Sequence, residues 1–430
     1  MHKNINIGII GLGQIGSRLY EEILSKKKDI GIKTGVNVNI LAISAKNINK
    51  KRNFKFSKKI FYKNPIYIAK DPKIDIVFEL IGYSDGLSKK VVELALKNKK
   101  HVITANKALM SKYGDQLALI AEKNKVNLEY EASVAAGVPV IKLIKEGLIA
   151  NKINKIYGIL NGTTNYILSR MDDTGKNFSE VLDDAKKLGF AENNPASDVE
   201  GNDAAAKIKI LSSIAFNKTI SKNKILTEGI QNLNQTDIYH AKNLGYKIKL
   251  LAIAEIKNNK LMERVHPCLV LENSYIANIN GVLNAIVVDG FPIGRSVLQG
   301  EGAGAGPTTS ALISDLCSIL RGNIKYPFGV SSLLRKKIGK LNILNHTCSS
   351  YLRIEAKDQP GVLSSITKIF AKSKISIKNL VQVPDKKKKK ATIIIITHKT
   401  LEKNFYNLLS NLDKNKFVIK KPIFIRIEKI

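Results

Sequence analysis

An α/β fold opening on a doubly wound parallel sheet is the class this sequence predicts, on three observations. The apolar run Ile5–Ile10 passes straight into the glycine pattern Gly11-Leu12-Gly13-Gln14-Ile15-Gly16, and a helical stretch, Ser17–Leu24, follows. From residue 4 to about 135, short β-rich runs alternate with helical ones, the order of parallel βαβ units. From about 349 to 430 a compact βαββαβ order closes the chain.

In the first stretch, Ile5–Ile10, Val38–Ser44, Ile74–Leu80 and His101–Ala105 read as strands, with Ser88–Lys97 and Gln116–Lys123 as helices between them. From about 136 to 340, longer helical patterns (Ser179–Leu188, Asp203–Ala215, Thr308–Leu320) mix with strands such as Lys249–Ile256, an α+β composition. In the last stretch Tyr351–Ala356 reads as a strand and Val362–Ser373 as a helix. Ile377–Val383 and Ala391–His398 read as a hairpin, Leu401–Leu412 as a helix and Phe417–Ile427 as the closing strand. The chain of 430 residues exceeds one compact domain. The expected division is 1–135, 136–344 and 349–430, with Asn345–Ser349 as the junction.

Composition narrows the function classes. No apolar run approaches the roughly 20 residues that cross a bilayer. Met1-His2-Lys3-Asn4 leads into a strand and not into a cleavable leader, so a cytoplasmic location and no membrane partner are expected. Cys268, Cys317 and Cys348 are scattered, which suits a reducing compartment. The six histidines show no H-E-x-x-H spacing, and no zinc site is expected. The formal charge of +34 raises a nucleic-acid reading. The lysines are dispersed along the chain beside Asn and Ile, however, without an RNA- or DNA-binding motif, so no nucleic-acid partner is expected. The run Lys386–Lys390 reads as a solvated hairpin loop.

Gly11, Gly13 and Gly16 stand at G-x-G-x-x-G spacing between strand and helix, where such glycines let a backbone receive a pyrophosphate on exposed helix-terminal amides. The pattern, with Leu12, Gln14 and Ile15 between the glycines, predicts a Rossmann domain that binds NAD(P). The second strand runs Val36 to Ile43 and ends in Ser44, with no acid between Asp29 and Asp71 to take a ribose 2′-hydroxyl. Lys46, Lys50, Lys51 and Arg52 follow instead. Missing acid and local base favour NADP, with NAD the alternative.

Two further segments are dense in chemistry-bearing residues. Thr104-Ala105-Asn106-Lys107 ends a strand, where doubly wound folds place ligand contacts. Gly189-Phe190-Ala191-Glu192 leads through Pro195, Asp198, Gly201 and Asp203 to Lys207. Asp203 and Lys207 are i and i+4 on a helix and share a face. Spacing alone leaves two readings open: a proton-shuttling pair, or an exposed helix salt bridge.

The segments IGIIGLGQIG, ELIG, HVITANKALM, YEASVAAGVPVI, LNGTTNYIL, AKKLGFAENNPASDVEGNDAAAKIKIL and GEGAGAGPTTSALISDL together resemble the homoserine dehydrogenase family over essentially the whole chain. The resemblance implies NAD(P)-linked interconversion of L-aspartate 4-semialdehyde and L-homoserine, in the branch leading to threonine and methionine. It implies Lys207 as proton donor to the aldehyde oxygen, Asp203 as the group orienting Lys207 or a water, and Lys107 beside the nicotinamide ribose and substrate. Glu192 is implied to bind the substrate amino group, with Asp198 and Asp203 around the same pocket and Thr163 in a substrate-domain strand. Glu131, Val134, Ala136 and Val138 match positions that ring a sodium ion, mainly through backbone oxygens. Gly302 and Gly304 match a turn returning to the cofactor.

The departures are Asn193-Asn194 before Pro195, where acid-Pro is usual, Ser197 in place of an aspartate, and Tyr83 in place of a glycine. Asp358-Gln359-Pro360-Gly361-Val362-Leu363 resembles the opening of an ACT domain, a ferredoxin-like module. This implies feedback by threonine and a homo-oligomer, dimer or tetramer; a purely structural dimerisation module is the alternative. Among other enzymes, a phosphorylating semialdehyde dehydrogenase would need a nucleophilic cysteine in a motif, and none of the three stands in one. A non-catalytic nucleotide sensor would not need the intact Glu192-to-Lys207 block.

Overall fold

The computed structural model describes residues 3–50, 52, 54–323, 325–385 and 389–430. Met1, His2, Lys51 and Lys386–Lys388, which the reading of the terminus, the basic segment and the hairpin loop included, lie outside the described residues. The chain forms two compact units that exchange segments along the sequence. The first comprises Met1–Gly162, Asp203–Lys224 and Leu283–Ile338; the second comprises Thr163–Asn202, Ile225–Val282 and Gly339–Ile430. Among the described residues no helix is long and apolar enough to cross a membrane.

The first unit is built on five parallel strands, β1 (Lys3–Ile10), β2 (Val36–Ser44), β3 (Ile76–Glu79), β4 (His101–Thr104) and β5 (Leu128–Glu129), in the order β2-β1-β3-β4-β5. The inner strands are buried on both faces; β3 is buried at all four positions. Strand order reverses between β1 and β3, so a crevice opens at their carboxyl ends, the position at which doubly wound sheets bind ligands. The helix Ala305–Leu320 belongs to this unit despite its distance in sequence. Its Ala311, Leu312, Leu316, Ile319 and Leu320 share one core with Leu19 and Ile23 of the helix Gln14–Ser25 and with Ile7, Ile9 and Phe78 of the sheet. Three further strands of this unit, Lys152–Ile159, Leu283–Phe291 and Gly294–Glu301, pair antiparallel with one another in that order.

The second unit centres on a long hairpin, Tyr246–Lys257 with Lys260–Leu271. Its two-residue turn, Asn258-Asn259, has positive φ at both positions, which Asn tolerates better than most residues. The strand Ile423–Ile427 joins this hairpin by parallel pairing, Arg426 to Cys268 and Ile427 to Leu269. It also pairs with Thr347–Lys357, which pairs with Lys390–Thr397, which pairs with Ile377–Asp385. Helices Val362–Lys372 and Glu402–Asp413 cover one face through Ile366, Phe370, Phe405, Leu408 and Leu412. This is the predicted βαββαβ arrangement.

Two local readings are corrected. Thr163 lies in the first turn of the helix Gly162–Thr174 and not in a strand. Its β-branched neighbours favour a strand, but Thr164 to Ser169 are buried and helical packing overrides propensity. Within the expected junction Asn345–Ser349, strand begins at Thr347, and Ser349 pairs with Ile427. The closing strand is only Ile423–Ile427; Val418 makes an isolated bridge to Ala356 before Pro422.

Candidate active site

The turn after β1 is shaped by two contacts that exclude a side chain. Gly11 has φ +102°, and a Cβ there would lie 2.5 Å from the Leu80 carbonyl oxygen. A Cβ on Gly16 would lie 1.9 Å from the Gly11 carbonyl oxygen, so the helix Gln14–Ser25 can start this close to β1 only with glycine. Gly11 N–H donates to the Ser44 carbonyl at 2.9 Å and ties the turn to the end of β2. Nothing lies within 4 Å of a Cβ placed on Gly13. Leu12, Gly13 and Gln14 line a cleft of about 540 Å³, as do Lys50, Arg52, Phe54 and Ala305. Ile15 and Gly16 continue from this turn into the helix. Gly304 caps the helix that starts at Ala305, and Gly302 precedes it by two residues; of this late segment, Ala305 lines the cleft.

The basic segment behaves differently from the reading of four available cations. Arg52 donates through its two Nη atoms to the carbonyls of Asn47 (2.9 Å), Ile48 (3.1 Å) and Lys50 (3.0 Å), so it folds its own loop. Lys46 and Lys50 are exposed.

A polar network at the sheet's carboxyl end places Lys107. Glu79, fully buried at the end of β3, accepts from Ile81 N–H (2.9 Å), Ser88 Oγ (2.9 Å) and Thr104 Oγ1 (2.7 Å). Thr104 Oγ1 in turn accepts from Asn106 N–H at 3.0 Å. Asn106 Oδ1 caps the helix Lys107–Lys123 by accepting from Leu109 N–H at 3.0 Å. Its amide donates to the Tyr83 carbonyl at 2.7 Å, so the Tyr83 backbone is anchored while its side chain is 76% exposed. The helix therefore begins at Lys107, well before the predicted Gln116. Glu79 and Asn106 carry this positioning role, which the sequence reading did not assign.

Asp203 opens the helix Asn202–Ala215 and is 3% exposed. Its Oδ2 receives Lys207 Nζ at 2.8 Å and Asn161 Nδ2 at 2.9 Å, and its Oδ1 pairs with Lys107 Nζ. Lys207 Nζ also donates to the Leu160 carbonyl at 2.7 Å, and Lys207 is itself buried. Burial alone would raise the Asp203 pKa, but the charges of Lys207 and Lys107 and the Asn161 bond outweigh it and hold the carboxyl well below its usual range. The i, i+4 pair is thus a buried, doubly clamped carboxylate and not a surface salt bridge.

Thr163, Glu192 and Asp198 belong to the second unit. Thr163 Oγ1 donates to the Phe190 carbonyl at 2.6 Å, just before Glu192, whose side chain is exposed. Asp198 sits in the short helix Ala196–Val199, and its carbonyl accepts from Gly201 N–H at 2.9 Å.

The Glu131–Val138 segment is a buried turn in the first unit. Both carboxylate oxygens of Glu131 accept backbone amides, from Ile141 and Lys142, each at 2.8 Å. The carboxylate therefore anchors the next helical turn, and its backbone carbonyl is what remains for a cation. Ala135 has φ +50° and Val134, Ala136 and Val138 are buried. Asp315 accepts from Glu131 N–H at 3.0 Å, and its Oδ1 is buried with no hydrogen bond among the described residues, although Lys142 Nζ lies 3.0 Å away. Burial, reinforced by Asp315, pushes Glu131 up to about 7, and burial with Glu129 nearby raises Asp315. Hard carbonyl oxygens in an acid-rich interior fit a hard monovalent cation.

A dinucleotide cleft in a doubly wound sheet, with a lysine–aspartate–lysine cluster in the same unit, defines a nicotinamide-dependent dehydrogenase. Comparison with known proteins narrows the class. Residues 11–131 match the family model described as homoserine dehydrogenase, NAD binding domain, residues 139–317 that of homoserine dehydrogenase, and residues 350–417 that of the ACT domain. The chain is 37% identical over 434 residues to homoserine dehydrogenase of Neisseria gonorrhoeae, covering 100% of this chain and 99% of that one. It is 34% identical over 430 residues to that of Bacillus subtilis, covering 99% of each. The crystal structure of a homoserine dehydrogenase from Thiobacillus denitrificans superposes with a TM-score of 0.92 at 38% identity, covering 99% of each chain. The chain belongs to the homoserine dehydrogenase family and is an oxidoreductase with a nicotinamide cofactor and a C-terminal ACT domain.

Proposed function

We propose that this chain reduces L-aspartate 4-semialdehyde to L-homoserine with NADPH in the cytoplasm, under feedback by threonine acting on the ACT domain. The observation that carries the reading is Asp203 held between Lys107 and Lys207 in a buried site. The bound reduced nicotinamide supplies the hydride that adds to the aldehyde carbon. Lys207 gives its proton to the oxygen as negative charge builds there, while Asp203 and the Leu160 carbonyl hold the ammonium in place. Lys107 adds a second positive charge on Asp203. Glu192 and Asp198 bind the substrate ammonium, and Thr163 supports Glu192 through Phe190. The stretches 1–135, 136–344 and 349–430 serve as nucleotide, substrate and regulatory domains, and the chain acts as a dimer or tetramer.

The test follows NADPH and NADH oxidation separately with aspartate 4-semialdehyde, with and without threonine. Turnover with either cofactor supports the reaction; none with both rejects it. Inhibition by threonine supports the ACT assignment, and unchanged turnover leaves that domain a structural one. Replacing Lys50 by Ala is expected to raise KM for NADPH by about tenfold, the order of one charge-assisted hydrogen bond. KM for NADH should stay unchanged; equal rises for both would remove Lys50 from 2′-phosphate recognition.

Backbone carbonyls of Glu131, Val134, Ala136 and Val138 would hold sodium, which supplies local charge and fixes the turn without entering the chemistry. A raised pKa gives the pH sign. From about pH 4.5 to about 7 the unfolded Glu131 loses its proton while the buried one keeps it, so stability falls as pH rises. Sodium opposes that fall. The drop in Tm from about pH 5 to about pH 8 is expected to be smaller in sodium chloride than in choline chloride of equal strength. Equal drops would remove sodium from the site.

A further inference from the structure

The second unit contains a cluster of nitrogen, sulfur and oxygen donors that the reaction does not use. His266 and Cys268 are two residues apart on the strand Lys260–Leu271 and so share a face. The parallel pairing of Ile427 with Leu269 brings the chain's end alongside, and Glu428 N–H donates to the Leu269 carbonyl at 3.0 Å. His346 follows the short turn Ile343–Asn345, and its carbonyl accepts from Glu402 N–H at 2.8 Å. All four residues are buried.

Their donor atoms converge. One ligand atom from each of His266, Cys268 and Glu428 lies within 4.8 Å of the other two. Glu428 Oε1 is 3.9 Å from His266 Nε2 and 3.8 Å from His346 Nε2, while Cys268 Sγ packs 3.2 Å from Nδ1, the other nitrogen of the His266 ring, which also contacts the Pro267 carbonyl at 3.0 Å. Tetrahedral zinc, with bonds of about 2.0–2.3 Å, sets its ligand atoms roughly 3.3–3.6 Å apart. A second observation is independent of these distances. His266 Nε2 and both ring nitrogens of His346 are buried with no hydrogen-bond partner among the described residues. Buried polar atoms in native proteins are satisfied by protein, water or an ion.

The nearby arginines are each neutralised by carboxylates. Arg264 pairs with Glu255 (2.7 Å) and Glu428 (2.8 Å), and Arg426 pairs with Glu228 (2.7 Å) and Glu402. Imidazole and thiolate donors select zinc over magnesium or calcium, which take oxygen ligands.

We propose that His266, Cys268, His346 and Glu428 form a closed, structural Zn²⁺ site that fastens the central hairpin strand to the beginning and end of the ACT module. The sequence reading expected no zinc because it sought clustered spacings; here the ligands come from three distant segments.

The test uses the full-length protein, stripped with a chelator and titrated with zinc sulfate. One equivalent is expected to bind at micromolar or lower free zinc, and excess zinc should raise Tm by roughly 5 °C. Loading with cobalt(II) should give a thiolate-to-cobalt charge-transfer band that Cys268→Ser abolishes. His346→Ala should weaken zinc binding by at least about tenfold. Absence of stoichiometric uptake by the folded wild-type protein overturns the proposal. So does uptake that both variants leave unchanged. Should either variant fail to fold, the wild-type cobalt spectrum still decides, since a bound ion lacking a thiolate band excludes Cys268. Dehydrogenase activity is not the readout, so this result and that of the proposed reaction are independent.

Discussion

Lys207→Ala is expected to lower kcat by about a thousandfold, within the range for removal of a general acid, while the nucleotide still binds. That loss corresponds to about 4 kcal/mol of transition-state stabilisation. The separation of effects follows from position. Lys207 bonds to Asp203 and the Leu160 carbonyl, whereas the cleft behind the glycine turn is lined by Leu12, Gly13 and Gln14. Steady-state turnover, with NADPH affinity measured by fluorescence titration, checks both halves. Near-normal turnover, or loss of nucleotide binding in proportion to rate, would reject the proton-donor role.

Asp203→Asn is expected to have a large effect of a different kind, lowering both turnover and stability. Removing the carboxylate leaves Lys207 buried without its counter-charge, a change that costs about 3–5 kcal/mol when a buried pair is broken. The partly exposed Lys107 and the retained Asn161 contact place the expected loss at the lower end of that range, at about neutral pH. The pH dependence supplies a check. The folded-state pKa of Asp203 lies below its ordinary value of 3.8, so its contribution is present above about pH 4 and fades as pH falls further. The stability gap between wild type and Asp203→Asn should therefore close in acid. Denaturant unfolding at a series of pH values measures it; a gap that stays constant to low pH would mean the carboxylate is not ionised in the fold.

What the sequence made legible was local. Gly11 and Gly16 have steric reasons for being glycine that follow from one strand–turn–helix unit, and Asp203 and Lys207 share a helix face by spacing alone. What it hid was contact between distant segments. Whether the Asp203–Lys207 pair is exposed or buried depends on Asn161 and the Leu160 carbonyl, which approach from the end of another strand. Glu79 looked like one letter of a strand ending, yet it gathers Ser88 and Thr104 across the sheet. The strand placement of Thr163 comes from the resemblance alone, whereas the residue lies in the first turn of the buried helix Gly162–Thr174. Arg52 appeared available to a phosphate until its donors were traced to Asn47, Ile48 and Lys50.

The late helix Ala305–Leu320 bears on how the chain is made. Leu19, Ile23 and their neighbours on the nucleotide-binding sheet have no complete apolar cover until Leu312 and Leu316 have left the ribosome. Translation must therefore proceed through most of the polypeptide, including segments destined for the other unit, before the first-made strands and helices can close. A nascent chain arrested after roughly the first hundred codons would carry an open apolar face.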